Sequence, residues 1–509
     1  MRNNETAQSR WQKLDAKRTG MLTRCERYAA LTLPSVCPED GYDEGTDELS
    51  QSLNSIGAQA VNSLVNKMML ACFAPSRPFM KFDLPPMEKN KILQATGMDE
   101  NKFREELSIA EKEAIRFLES TGSRPKLYDL FAHLIITGNA LKLTENDKIR
   151  IFGIKSFVSR RNVEGQVIEL ITKECIPVDE LPENLQAFAA SLKHDSDQEI
   201  SYYRWWWWDG KKYIERQYLN DVWITLKEFN GQYKLEDMPA QHHTWRLPDN
   251  RNYGIGHVED YIGDFEGLDQ LTESEVNGAI LASEFRWLAN PGGMTRPEDI
   301  QASRNGDVVP GQEGDLALIA AGAQVAGALQ VVSASADKYI RRIGQGFLLT
   351  SAVQRDAERV TAQEIRLLAN ELETGLGGIY SRLALDLQMP IARWLMKKVG
   401  GSVFEKSDFE PVIITGLDAL SRNGDLENMQ LFLGDVAQIT SMPPQVQQYL
   451  KLDSIFSALA AGRGLRASDY INDQDTVDQR NAEAQKQAQQ EEMQAAGVQA
   501  ALQQQAKSK

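Results

Sequence analysis

The chain has 509 residues, 42% of them apolar and 25% charged, enough for about two to four domains with ordinary cores. Its net charge of −16 argues against a protein that wraps nucleic acid through a general basic surface, but not against nucleic acid that must slide past without sticking. No apolar run of membrane-spanning length exists, MRNNETAQSRWQKLD holds no signal-peptide core, and the four cysteines (Cys25, Cys37, Cys72, Cys175) lack C-x-x-C spacing, which reads as free thiols in a reducing compartment.

In chain order, residues 8–30 carry the stripe Trp11, Leu14, Arg18, Met21, Leu22, Cys25, Tyr28 and Ala29, which predicts one amphipathic helix. The Pro/Gly/Asp-rich stretch 31–50 predicts an ordered loop, and Asp40, Asp43 and Glu44 within it lack calcium-loop spacing. A second helix is expected from Ser52 to Phe73, with Ile56, Ala60, Leu64, Met68 and Cys72 on one face and Pro75 and Pro78 ending it. KFDLP reads as a short strand, and helices are expected over 101–120 and 123–136 before Gly138-Asn139 turns the chain.

From about 140 to 240 the period changes toward two, with strands around a Glu-Gly turn in KIRIFGIKSFVSRRNVEGQVIELITKECI. Asp209-Gly210 signals a hairpin, and Trp205 to Trp208 put two rings on each face of its first strand. Those rings serve either a contact surface or a buried strand. Burial is the preferred reading, either on both faces within the chain or, the favoured form, with one face in the core and the other against a neighbouring subunit. Gly254-x-Gly256 is too short for a dinucleotide fingerprint.

A helix is expected from Leu268 to Leu288, stopped by Asn290-Pro291-Gly292-Gly293. Short strands and turns follow through AAGAQVAGALQVV, and helix returns at Ser335–Leu349, which carries Arg341 and Arg342. A small insert therefore sits between two helices that must lie close together. From Leu348 to Val399 a polar loop bearing Gln354, Arg355, Asp356, Glu358 and Arg359 leads into a capping box, Thr361 and Glu364. Ile365, Leu368, Leu372, Leu376, Ile379, Leu383 and Leu387 then mark one face of a long helix that Pro390 should kink. Gly375, Gly377 and Gly378 are places for bending or close packing. Spacing alone leaves open whether the loop only joins two helices. Beyond 400 come a strand in FEPVIITG, then short helices at 454–465 and 468–478, and a Gln/Ala/Glu/Lys-rich tail, solvated or disordered.

Catalytic patterns are missing: there is no zinc-ligand spacing, no Walker loop, no G-x-S-x-G and no paired carboxylates for two-metal chemistry. His242-His243 is expected in a turn rather than as a ligand pair. Within the limit that triads assemble in space, no enzyme, metal or cofactor is expected.

The run LTSAVQRDAERVTAQEIRLLANELETGLGGIYSRLALDLQMPIARWL closely resembles the corresponding segment of the portal proteins (head-to-tail connectors) of T7-like podoviruses. LTLPSVCP, GAQAVNSLVNKMMLACFAP, ITGNALKL, NYGIGHVEDYIGDFEGLDQL and LANPGGMTRPEDI match that family's pattern in order. The tryptophan hairpin and the tail depart from it. The resemblance implies a mainly α portal fold with an α+β wing region, in a ring-forming subunit, a dodecamer, at one capsid vertex of the virion. Assembly would occur in the host cytoplasm. Residues 1–262 would be the wing, 263–290 and 331–349 the stem helices, and 291–330 the clip. Residues 350–360 would be the tunnel loop, 361–400 a long wing helix, and 401–509 the crown and tail. Implied partners are double-stranded DNA passing through the channel, the terminase large subunit, tail adaptor and nozzle proteins, capsid and scaffolding proteins and internal core proteins, with no membrane. Arg355 and Arg359 are the first candidates for touching DNA, with Gln354 beside them. Arg341 and Arg342 come next, since they could instead pair with Asp356 or Glu358 of a neighbour. A structural adaptor ring without DNA contact is the alternative, and a nuclease with an unrecognised site is a third reading.

Overall fold

A computed structural model describes residues 5–74, 79–83, 93, 100–145, 147–192, 199–283, 285–312, 314–320, 322–349, 371–399, 410–413, 434 and 437. Residues 1–415 form one compact unit and 416–509 a second. The second unit lies almost wholly outside the described residues, as do the helices expected at 454–465 and 468–478 and the Gln/Ala-rich tail.

The single helix expected over 8–30 is two, α1 (Ala7–Asp15) and α2 (Thr19–Ala30). Between them Arg18 turns inward, donating to Asp15 Oδ1 at 2.8 Å and Ile154 O at 2.5 Å, with the Trp11 and Tyr253 rings each 5.7 Å from its guanidinium carbon. The break lets one amphipathic stripe serve two cores. Trp11 and Leu14 pack with Trp205, whereas Cys25, Tyr28 and Ala29 join the main core.

Next come α3 (Ile56–Cys72), β1 (Met80–Asp83), α4 (Glu100–Ser120) and α5 (Ser123–Thr137), close to expectation. Gly138 ends α5 at φ +76°, and a Cβ there would lie 2.4 Å from Gly256 N. The Gly254–Gly256 backbone therefore packs directly on the end of α5, where Asn139 donates to Gly254 O at 3.0 Å and accepts from Gly254 N at 2.7 Å. The glycines are explained by this backbone approach.

The strand-rich region forms two antiparallel sheets. β2 (Asn139–Glu145) and β3 (Lys148–Phe152) belong to the smaller; β4 (Phe157–Arg161), β5 (Val167–Pro177), β6 (Glu199–Trp208), β7 (Tyr213–Leu219) and the short β8 (Val222–Trp223) form the larger in that order, with β9 (Gln232–Tyr233) on β7. A short α6 (Glu183–Ser191) links β5 to β6. β10 (Ala240–Thr244) completes the smaller sheet in the order β10-β2-β3. It contains His242 and His243, both buried, so that pair is in a strand and not in the expected turn. Each imidazole fills core space: the His242 ring sits 4.9 Å from Phe157, and its Nε2 lies 3.1 Å from Asn139 Oδ1.

The hairpin turn at Asp209 is as expected. The Asp209 carboxylate accepts from the backbone N–H of Lys211 and Lys212 at 2.8 Å each, and Gly210 takes φ +105°. The expected burial of the tryptophans holds at Trp205 and Trp206, in the form that covers both faces within the chain. Trp205 (1% exposed) faces α1, Tyr203 and Tyr218, whereas Trp206 (0%) enters the main core. The chain itself covers both faces of β6, so these two rings need no neighbouring subunit. α1 is clamped onto this sheet by Arg10, which reaches the buried Glu169 carboxylate on β5 at 2.6 and 2.9 Å.

Beyond the sheets runs α7 (His257–Ser283), which starts earlier than the expected Leu268 and stops short of Leu288. The last expected turn is instead β11 (Phe285–Ala289), followed by α8 (Pro297–Ala302) and by β12 (Leu316–Ala320), the antiparallel partner of β11. α9 (Gly322–Gly346) absorbs the Ala/Gly-rich run expected as strands and turns. Alanine is the strongest helix former, and α9 packs along α7, so small residues suit a close helix pair.

The long helix expected over 361–400 is interrupted. Residues 371–376 are helical, Gly377 and Gly378 take φ +59° and +82°, and α10 (Ile379–Leu383) restarts the helix. A π-helical turn over Ala384–Gln388 then leads into α11 (Met389–Val399). The glycine pair makes the break, and the wider π turn just before Pro390 accommodates a residue with no N–H to give. The expected apolar face holds: Leu372, Leu376, Leu383 and Leu387 are buried. Ile365, Leu368 and the capping pair Thr361 and Glu364 lie outside the described residues. β13 (Glu410–Ile413) returns to pair with β1, closing the unit between distant parts of the sequence.

Candidate functional site

The site is built where α7 and α9 meet the rest of the unit. Between His257 and Ser283, α7 carries Glu259, Asp260, Asp264, Glu266, Asp269, Glu273 and Glu275 and no lysine or arginine. Some of these carboxylates are satisfied nearby: Asp260 by Arg246 at 2.7 Å, Glu266 by Arg27 at 3.1 Å, and Asp269 by the Ser52 hydroxyl at 2.5 Å. Glu273 and Glu275 have no ion-pair partner among the described residues. The helix pair therefore presents a mainly acidic surface.

Arg341 and Arg342 lie on α9, both exposed. Arg342 reaches Asp264 on α7 at 3.5 Å and lies over Tyr339, its guanidinium carbon 5.6 Å from the ring centroid. It thus has a carboxylate within its own subunit, a contact of small energy because the Arg342 side chain is 64% exposed. Arg341 makes no ion pair among the described residues.

At the lower end of the pair the packing is dense and aromatic. His257, Tyr261 and Phe265 of α7 converge on Phe347, with ring centroids 4.7, 5.5 and 5.5 Å away. Burial lowers the pKa of the His257 imidazole, and its Nε2 donates to Gly346 O at 2.8 Å.

α9 ends in a Schellman cap: Leu349 N donates to Gly344 O at 2.7 Å and Leu348 N to Gln345 O at 3.3 Å. Leu348 occupies the left-handed position, φ +54°, where glycine is usual. That conformation costs about 1–2 kcal/mol for a residue with a Cβ. Two contacts hold it there. The Leu348 side chain packs over Gly375, whose added Cβ would lie 3.0 Å from Leu348 Cδ2, and the Leu348 carbonyl accepts from Lys67 Nζ at 2.6 Å.

The same ammonium reaches Glu371 Oε1 at 2.8 Å. Lys67 is fully buried on α3. It therefore ties Leu348, the end of one flank, to Glu371, the start of the other, on either side of residues 350–370. Lys67 is the residue the sequence reading missed. The available signal was a lone lysine among Leu64, Val65, Met68 and Met69, inside a helix otherwise apolar at those positions. Of the expected site residues, Gln354, Arg355, Arg359, Thr361 and Glu364 lie outside the described residues; the structure locates Arg341, Arg342 and both flanks.

Among the described residues no group of His, Cys, Asp and Glu is placed to hold a metal ion, and no helix is long and apolar enough to cross a membrane. Cys25, Cys37 and Cys72 are buried and free, and Cys175 is exposed and free. Burial pushes the Cys25 thiol to about 12 and Cys37 to about 11, which keeps them unreactive.

The family model of the bacteriophage head to tail connecting protein matches residues 4–471 of this chain. The portal protein of Enterobacteria phage T3 is 30% identical over 450 residues, spanning 86% of this chain and 83% of that protein. That of Escherichia phage T7 is 29% identical over 439 residues, spanning 83% and 80%. That of Pseudomonas phage phiKMV is 28% identical over 519 residues, spanning 97% and 96%. Among solved structures, a chain from the neck of an empty gene transfer agent particle matches at 12% identity and a TM-score of 0.35, over 81% of this chain and 90% of that one.

Proposed function

Because the chain belongs to the bacteriophage head-to-tail connecting protein family, we propose that it is the portal subunit of a phage, with α7, α9 and the segment between Leu348 and Glu371 as its DNA-facing elements. The protein is a connector at the capsid portal vertex, where double-stranded DNA passes during packaging and ejection and where the terminase and tail dock. The family is one of structural connectors.

The observation that carries the DNA-facing assignment is the charge of α7, seven carboxylates with no basic residue. Duplex phosphates come about every 1.7 Å along the axis. A wall of lysines would hold them, whereas an acidic wall repels them, and a few arginines give weak, transient contact. Arg355 and Arg359, with Gln354 beside them, are the proposed contact points, flanked by the Lys67 tie. Arg341 is a weaker candidate, and Arg342 weaker still because Asp264 already neutralises it in part. In this reading residues 1–256 form the wing, α7 and α9 the stem, residues 284–321 the clip and residues beyond 400 the crown. The proposed ring is a dodecamer. The clip meets the terminase large subunit and then tail adaptor and nozzle proteins, and the outer and inner faces meet capsid, scaffolding and core proteins.

The test is Arg355→Glu and Arg359→Glu in the phage. Rings should form as in wild type, while the fraction of particles retaining packaged DNA should fall by at least about tenfold, equivalent to ~1.4 kcal/mol over the ring. Normal packaging and retention in both variants would overturn the arginine assignment. Loss of ring formation in both would instead favour an adaptor ring in which these residues join subunits.

A further inference from the structure

A cavity of about 520 Å³ opens beside α2, lined by the turn before it, by Ser159 of β4 and by the 248–255 loop. Three exposed cations rim it, Lys17, Arg24 and Arg251, and one acidic residue, Glu259 of α7, lines it with them. None of the three makes an ion pair among the described residues. Tyr28 and Tyr253 supply aromatic wall. Ser159, only 2% exposed, also borders the cavity, and its hydroxyl oxygen is covered and has no hydrogen-bond partner among the described residues. Buried hydroxyls are normally satisfied. In a chain of net charge −16, three cations without an ion-pair partner around a hollow that holds one carboxylate residue, Glu259, leave it net positive and suited to an anionic occupant.

The complementary surface is on the same chain. Between Glu39 and Glu48 the loop after α2 exposes Glu39, Asp40, Asp43, Glu44, Asp47 and Glu48 with no lysine or arginine among them. None of these carboxylates is ion-paired among the described residues. The loop is nonetheless shaped. Asp43 Oδ1 accepts from Gly45 N at 3.0 Å, and Asp47 Oδ2 accepts from Asp43 N at 2.9 Å. Tyr42 stands half-buried at its centre. Like charges so close repel each other unless an opposite charge meets them. No residue of this loop lines its own subunit's cavity.

We infer that the acidic loop 39–48 of one copy docks into the basic cavity at Lys17, Arg24 and Arg251 of the next copy in the ring. This rests on the ring reading above. A closed ring built from one kind of subunit uses two different patches on each copy, and these two patches match in charge. Carboxylates of the loop meet the rim cations. Complementary charge across an interface fixes register and suppresses wrong pairings.

The test is a charge swap in the full-length chain, read by mass photometry and electron microscopy across salt concentrations. Lys17→Glu/Arg24→Glu/Arg251→Glu together should raise the protein concentration needed for half-assembly by at least about tenfold. Glu39→Lys/Asp40→Lys/Glu44→Lys/Glu48→Lys should do the same; these four spare the Asp43 and Asp47 contacts that shape the loop. Combining both sets should bring assembly back to within about threefold of wild type. Wild-type assembly in either set alone, or a combination no better than the sets apart, would overturn the contact. If the wild type makes no ring, the connector-ring reading fails on its own. The contact is then decided by titrating a fluorescent peptide of residues 38–50 onto the full chain. Saturable, salt-sensitive binding that the cavity variant loses supports it, and absence of binding refutes it.

Discussion

Replacing Lys67 with methionine should loosen both flanks of the segment 350–370 at once. The substitution nearly conserves volume, so the effect isolates the ammonium. Two of the acceptors around it, both among the described residues, lose their donor: Leu348 O at 2.6 Å and Glu371 Oε1 at 2.8 Å. A part-buried carbonyl left without a partner costs about 1–3 kcal/mol. The Glu371 side chain is 36% exposed, so water recovers much of its loss, and the ion-pair share is discounted to about 1 kcal/mol. Together the loss is roughly 2–4 kcal/mol, added at a residue, Leu348, already held in an unfavourable left-handed conformation. Chemical denaturation of the purified chain checks the stability. A cycle with Glu371→Gln should show a coupling of about 1 kcal/mol. In the phage, Lys67→Met should leave rings intact and lower DNA retention in the same direction as Arg355→Glu. Stability within about 0.5 kcal/mol of wild type, together with normal retention, would refute the tie.

Other expectations concern the buried groups. Lys142 is 1% exposed, and burial lowers its ammonium from 10.5 to about 7. Its folded value lies below its unfolded one, so between about pH 7 and 10.5 the unfolded chain binds more protons and stability rises with pH. Lys142→Met should flatten that rise and raise the unfolding temperature at pH 7 by at least ~2 °C in calorimetry; an unchanged pH slope would contradict it. Trp206→Ala should cost about 3–5 kcal/mol, seen as early unfolding of the subunit, whereas ring dissociation without subunit unfolding would return that ring to an interface. Under native conditions a maleimide should label Cys175 rapidly, with Cys25, Cys37 and Cys72 labelled only after denaturation, as mass spectrometry of the labelled peptides would show.

Local chemistry carried much of the fold into view. The Asp209 turn, the strand around Phe82, the α3–α5 helices and the buried leucines of 372–387 follow from spacing and turn residues that act over a few positions. What stayed hidden depends on distant partners. Nothing near Met80–Asp83 names Glu410–Ile413 as its pairing strand. Phe285–Ala289 continues the apolar pattern of α7, and only its pairing with Leu316–Ala320 makes it a strand. His242 and His243 become core residues because β10 lies against β2, which a dipeptide cannot announce. The tryptophans invited a subunit contact because no local signal says that α1 will return to cover Trp205. Lys67 was hidden for the same reason: its acceptors lie 281 and 304 residues away in sequence. The helix pair and the two arginines on α9 were legible, but the Asp264 partner of Arg342 was not.

The central claim is that copies of this chain close into a ring whose channel is faced by α7, α9 and the arginine segment. Cryo-electron microscopy of the purified full-length protein tests it most directly. The account predicts a ring with an axial hole, with α7 and α9 around it and residues 350–360 at its narrowest point. A compact monomer, or a ring with α7 and α9 on its outer rim, would contradict it.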